Sequence, residues 1–338
     1  MDGRKTRARA FVHRGGGVRI AGTVVACDAA AGTDLVFLSH APALGVHTRR
    51  ALPNFGGGRR QVLTTEVTLA LLGAVGERLK AYALPAGYGR PFSLGDLRLE
   101  MFPSGFMPGA ASLLCEREGR RIVYAGPIGA EPADVRAADA LCIDATFASP
   151  ALTFPARAQA LAEVGRAVRA VLARGGAPVV LVDPVIIALD IGIALAADRI
   201  RLCAHRSIVQ AAIAYRHAGL PAPALQRFAG KIAPGEALLW PAPVRVPPRR
   251  AGARAPGVIF VSAEAGAAAA DAADLDRARV VFPTAADHAG LMRYIAASGA
   301  SEVALLNAPG HDLTNTLRAR GIDAYTLGPP HQIELFAA

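Results

Sequence analysis

Positive charge on this chain is almost entirely guanidinium: of 37 basic residues only Lys5, Lys80 and Lys231 are lysines, which leaves 34 arginines. A guanidinium fork grips phosphate oxygens in pairs, as an ammonium does not, so arginines that cluster in the sequence are the first candidates for chemistry. Arg49 and Arg50, then Arg59 and Arg60, stand on either side of a glycine triplet at 56–58, and Arg245, Arg249, Arg250 and Arg254 are strung through a proline-rich stretch. Such clusters predict a polyanionic partner, RNA or DNA, held by its backbone and therefore in a salt-dependent manner. GC-rich codons produce the same abundance of Ala, Gly, Pro and Arg, and any one of these arginines is as readily a solvated surface residue. The glycine triplet alone makes no phosphate cradle, because no strand, loop and helix with a lysine surrounds it.

Elements must position these residues, and composition bounds what they are. The 338 residues suggest two structural units, and 52% hydrophobic against 19% charged residues exclude a disordered or fibrous chain. Cys27, Cys115, Cys142 and Cys203 are too far apart for a C-x-x-C pair or a disulfide framework, the basic N-terminus lacks an apolar signal stretch, and the most apolar run is cut by Asp183, Pro184 and Asp190. The expectation is a cytoplasmic protein with no membrane segment.

Up to about residue 154 the chain reads as short strands punctuated by glycine, interrupted by EVTLALLGAVGERL, whose Val67, Leu71, Val75 and Leu79 predict one helix capped by Thr64 or Thr65. After Pro155 a long helix with a Leu161, Val164, Val168 stripe leads to the continuously apolar PVVLVDP, a strand of the buried parallel type, and then to a second helix. The stretch Trp240 to Gly257 reads as an irregular basic linker, and strands VIFVSA, ARVVFPT, EVALLN and DAYTL then alternate with helices HAGLMRYIAAS and DLTNTLRARG.

In CDAAAGTDLVFLSHA, VLTTEVTLALL, FPSGFMPGAASLLCEREGRRIVYAG, ALCIDATFASPALTFP, LCAHRSIVQAAIAYRHAG and ADHAGLMRYI, the chain resembles the metallo-β-lactamase-fold proteins of the β-CASP branch, which includes messenger-RNA 3′-end processing nucleases and ribonuclease J. The resemblance spans nearly the whole length. It implies an α/β protein: a metallo-β-lactamase αββα sandwich formed by residues 1–154 and 281–338, with a β-CASP-like α/β domain inserted at 155–280.

Active members of that group hold two zinc ions through a His-x-His-x-Asp-His loop, a later His, a bridging Asp and a His near the C-terminus, and the metals supply the attacking hydroxide. Here the loop reads HAPALG, so His40 keeps the first position while Pro42, Leu44 and Gly45 stand at the others. Phe106 stands at the later His and Pro127 at the bridging Asp. Asn307 stands at the terminal His and Ala285 at a further His of the branch. Asp28, His40, Asp144 and Asp287 are what the resemblance leaves. Side chains of Phe, Leu and Pro donate no electron pair, so the expectation is a catalytically degenerate protein with no cofactor, its vacated pocket dry and filled by Phe106 and Leu44. His40 then reads as a structural histidine, and Asp28 and Asp144 as acceptors of backbone hydrogen bonds in the turns after their strands.

Two function classes follow. In the first, the chain is a nucleic-acid-binding or assembly subunit in RNA or DNA processing, its Arg49, Arg50, Arg59 and Arg60 facing phosphates and its partner an active paralogous nuclease. In the second, His47, His288 or His311, each a few residues from a vacated position, rebuild a mononuclear zinc site and the chain is an active phosphodiesterase. The tail Gln332, Ile333, Glu334, Leu335, Phe336 resembles the short motif that docks on the bacterial DNA sliding clamp, and it equally suits a final edge strand.

Overall fold

The computed structural model describes residues 8–14, 17–29, 34–41, 61–131, 134–244, 256–264 and 277–328, a mixed α/β chain with three sheets and seven α-helices among these residues. Six short strands, β1 (Phe11–Arg14), β2 (Gly17–Ile20), β3 (Val25–Cys27), β4 (Leu35–Phe37), β5 (Gln61–Thr64) and β6 (Ala83–Pro85), lie side by side in chain order. The first three run antiparallel and the pairs from β3 to β6 are parallel. At Gly17 a Cβ would sit 2.5 Å from the Ala29 Cα, so the two segments approach this closely only without a side chain there.

The stretch expected to form one helix is two, α1 (Glu66–Leu71) and α2 (Ala74–Leu79). Gly73 takes φ +56° and ends the first, and a Cβ on Gly76 would sit 1.8 Å from the Leu69 carbonyl oxygen, so the pair folds tightly only with glycine at both positions. Thr65 caps α1 by accepting from the Thr68 N–H at 3.0 Å.

The second sheet begins as a meander, β7 (Phe92–Leu94), β8 (Leu97–Pro103), β9 (Ala111–Arg117) and β10 (Arg120–Gly126), with β11 (Ala140–Asp144) parallel to β10. Its period-2 pattern sorts side chains to two faces. Leu113, Cys115, Ile122, Tyr124, Ala140 and Cys142 meet Val18, Ile20, Phe37 and Leu63 of the first sheet, while Leu114, Val123, Leu141 and Ile143 point away from it.

The third sheet comes from one contiguous stretch: α3 (Arg157–Ala173), β12 (Ala177–Asp183), α4 (Ile187–Ala197), β13 (Arg201–Ala204), α5 (Arg206–His217), β14 (Gln226–Arg227), β15 (Glu236–Pro241), β16 (Pro256–Ser262) and β17 (Arg277–Val281). It is parallel throughout, in the order β14-β13-β15-β12-β16-β17. Val164 and Val168 of α3, Ile187 and Ile191 of α4, and Ile208 of α5 share one core with Val180, Val182 and Leu239. That core continues into Leu69, Leu71 and Leu79 of α1 and α2, which cover Leu38 and Val62 on the outer side of the first sheet. The region expected to be wholly irregular, Trp240 to Gly257, is strand at both ends, in β15 and β16, and its arginines at 245, 249, 250 and 254 lie outside the described residues.

After the third sheet the chain returns to the second. There α6 (His288–Ser298), β18 (Glu302–Leu306), α7 (Asp312–Ala319) and β19 (Asp323–Leu327) add two parallel strands beyond β11 and pack Leu291, Ile295, Leu313 and Leu317 on its outer face. The layering is therefore helix, sheet, sheet, helix, with the all-parallel sheet joined to it through α1, α2 and their shared core. No helix of the described residues is long and apolar enough to cross a membrane.

Candidate functional site

Parallel strands leave their C-terminal ends together, and side chains just past those ends converge without any local sequence signal. In this chain Asp28 follows β3, His40 follows β4, Pro127 follows β10, and Asp144 ends β11 with Thr146 and Phe147 behind it. Pro184 follows β12, Thr284 and Ala285 follow β17, and Asn307 follows β18. All of them, with Phe106 and His13, line one cavity of about 530 Å³ between the paired sheets and the parallel sheet.

Hydrogen bonds fix its polar groups. Asp28, held at φ +49°, accepts from the Ser39 N–H at 2.8 Å through Oδ1, and from the Ser39 hydroxyl at 2.6 Å and the Tyr124 hydroxyl at 2.9 Å through Oδ2. Ser39 has one hydroxyl proton and gives it to Asp28. At its 2.8 Å contact with His40, the imidazole Nδ1–H is then the donor. The ring of Phe106 stands edge to face on His40 at 5.3 Å. Across the cavity, Asp144 accepts through Oδ1 from the Thr146 N–H at 3.0 Å and hydroxyl at 2.7 Å, and through Oδ2 from the Asn307 amide at 2.6 Å. The Cys27 thiol is pushed well above its usual range by burial and then by the Asp28 charge, so it is no ready nucleophile.

Phe106 sits in a clamped turn. Gly105 has φ +71°, the Gly129 N–H donates to the Ser104 carbonyl at 2.9 Å, and a Cβ on Gly129 would lie 2.1 Å from the Gly105 carbonyl oxygen. Beyond this turn a second recess of about 460 Å³ shares Phe106 and Thr284 and contains Arg157, which is ion-paired with Asp190.

Of the residues singled out from the sequence, Asp28, His40 and Asp144 converge, and so do Phe106, Pro127, Ala285 and Asn307, which the resemblance set at ligand positions. Asp287 does not join them. It caps α6, accepting from the Gly290 N–H at 2.8 Å and from the Phe154 N–H at 3.1 Å. His288 donates from Nδ1 to the Ala148 carbonyl at 2.8 Å and His311 precedes α7, and neither lines the cavity. Pro42, Leu44, Gly45, His47, Arg49, Arg50, Arg59, Arg60 and the tail from Gln332 to Phe336 lie outside the described residues. Of the two side chains expected to fill the pocket, Phe106 forms one wall of the recess between the described residues, and Leu44 lies outside them. Sequence reasoning missed His13, which carries no motif and reaches the cavity only because β1 is the edge strand beside β2.

Among the described residues the donor set does not fit two zinc ions. Phe106, Pro127 and Ala285 supply no ligand atom, both carboxylates already hold donors of the chain, and no group of three His, Cys, Asp or Glu among the described residues is arranged to hold a metal.

Neither a protein-family model nor a curated protein matches this sequence. Among solved structures the chain is similar to a protein of unknown function from Enterococcus faecalis V583, at 13% identity and a TM-score of 0.55, over 87% of this chain and 79% of that one. A likeness at that identity concerns the fold alone.

Proposed function

We propose that this chain is a metallo-β-lactamase-fold protein of the β-CASP branch that no longer hydrolyses phosphodiesters and serves as a nucleic-acid-binding or assembly subunit in RNA or DNA processing. One observation carries the reading. Positions 28, 40, 106, 127, 144, 285 and 307, which the resemblance assigns to a metal centre and its surroundings, are spread over most of the chain and yet line a single cavity. The residue types there argue against a dinuclear centre, because the side chains of Phe106, Pro127 and Ala285 offer no electron pair to zinc. The formal charge of +10, carried by arginine, supports a polyanion as partner. A paralogous active nuclease and the DNA sliding clamp are the protein partners that fit such a role.

The alternative, a phosphodiesterase with a rebuilt site, draws on His13 and His40 lining the same cavity. End-labelled single-stranded RNA and DNA with Zn²⁺ or Mn²⁺ separate the two. The expected result is binding at low salt that weakens as salt rises, without product. Turnover that disappears in His40→Ala would establish the alternative, and absence of binding at low salt would remove the nucleic-acid role.

A further inference from the structure

We infer that the cavity receives an unstacked nucleobase bearing an exocyclic amino group, and not a phosphate; this rests on the nucleic-acid reading above and specifies what the site takes. The described lining has two carboxylates, Asp28 and Asp144, and no lysine or arginine. Against the described lining residues a phosphodiester would face like charge with no lysine or arginine among them.

Two apolar rings and two prolines contribute to the rest of the wall. Phe106 and Phe147 are half-buried rings, with Pro127 and Pro184 beside them. An aromatic face binds any base by stacking. The volume of about 530 Å³ falls in the range of small-ligand sites and admits a nucleoside. Each carboxylate has roughly four lone-pair sites, and the chain supplies three donors to each of Asp28 and Asp144. Each therefore keeps capacity for one further N–H; the amino group of cytosine or adenine offers two, whereas thymine offers only its N3–H, set between two carbonyl oxygens that repel a carboxylate. Asn307 is exposed at the rim and retains its carbonyl oxygen and a second amide hydrogen for the ring edge.

The test compares three fluorescein-labelled single strands of one length, oligo(dC), oligo(dT) and an abasic deoxyribose backbone, by anisotropy with the full chain. The expected order is oligo(dC) tightest, oligo(dT) weaker and the abasic strand weakest by about tenfold or more, in keeping with stacking of one base. Phe106→Ala and Phe147→Ala should each weaken oligo(dC) severalfold and leave the abasic strand unchanged. Equal affinity for oligo(dC) and the abasic strand overturns the base pocket while the backbone-binding reading stands. Equal affinity for oligo(dC) and oligo(dT) overturns the amino-group preference. No binding of any strand at low salt overturns both the pocket and the reading on which it rests.

Discussion

Asp28 is the residue on which the cavity's order depends, because three donors, two from Ser39 in the loop after β4 and one from Tyr124 on β10, end on its two oxygens. Charge-assisted hydrogen bonds are worth roughly 1.5–3 kcal/mol each, and a donor left unpaired in a partly buried site adds to the loss. Asp28→Ala should therefore cost about 3 kcal/mol or more in urea denaturation, and Tyr124→Phe, which removes one donor and leaves the others in place, about 1.5 kcal/mol. A smaller loss for Asp28→Ala than for Tyr124→Phe would show that the carboxylate is not the anchor. The phenol itself is pushed far up, first by burial and then by the Asp28 charge, so it stays a donor at any ordinary pH. Much of this was legible in the sequence, since a polar residue directly after an apolar strand run lands at a strand end. The partners were less so. Ser39 is eleven residues and Tyr124 ninety-six residues from Asp28, and only the pairing of β3 with β4 and the facing of the two sheets bring them there.

Elements with a clear period were readable, and those made short by tight packing were not. The long stripe of α3 and the apolar run of β12 stand where the pattern puts them, whereas the unbroken helical spacing from Val67 to Leu79 conceals the break at Gly73. The three-residue β7 and the two-residue β14 are too short and too exposed to show alternation, and pairing with longer neighbours holds them. The start of α6 has a sharper consequence. Asp287 caps the helix and also accepts from Phe154, which precedes α3, so one carboxylate ties the entry of the parallel-sheet stretch to its exit. Asp287→Ala should lower stability by about 1–2 kcal/mol, at the upper end of the cost of a lost cap. Asp287→Asn should recover only part of the loss, because its single amide oxygen can still accept from Gly290 while its NH2 faces the Phe154 N–H, donor against donor. Thermal unfolding of both variants is the check, and equal loss in the two would show that charge and not capping is at work.

The molecule buries its four thiols and the phenols of Tyr124, Tyr215, Tyr294 and Tyr325, and that sets its response to alkali. All four cysteines are buried and unpaired, with burial pushing Cys115 up to about 11 and Cys203 up to about 12. Burial also raises Tyr88 and Tyr294 to about 12. In the unfolded chain such groups ionise near 9 for thiol and 10 for phenol, so above pH 9 the folded state holds more protons than the unfolded one and stability falls as pH rises. Denaturation midpoints should be level up to about pH 8 and decline steadily beyond pH 9, with the thiols refractory to alkylating reagent until the chain unfolds. A midpoint unchanged at pH 10.5 would contradict this. The layered arrangement was only partly legible for a related reason: a continuous apolar run reports that a strand is buried on both faces, but which sheet covers it is decided by contacts across most of the chain, such as Glu302 accepting from the Ala10 N–H at 2.7 Å and from Tyr325 at 2.9 Å. The second sheet, unlike the third, is finished by strands that follow a long intervening stretch. During synthesis on the ribosome the parallel sheet can close as soon as β17 has emerged, while β11 waits with an open edge until β18 arrives. For that interval the nascent chain presents unpaired strand groups beside an uncovered apolar face, a surface suited to a chaperone or, at high expression, to another copy of itself.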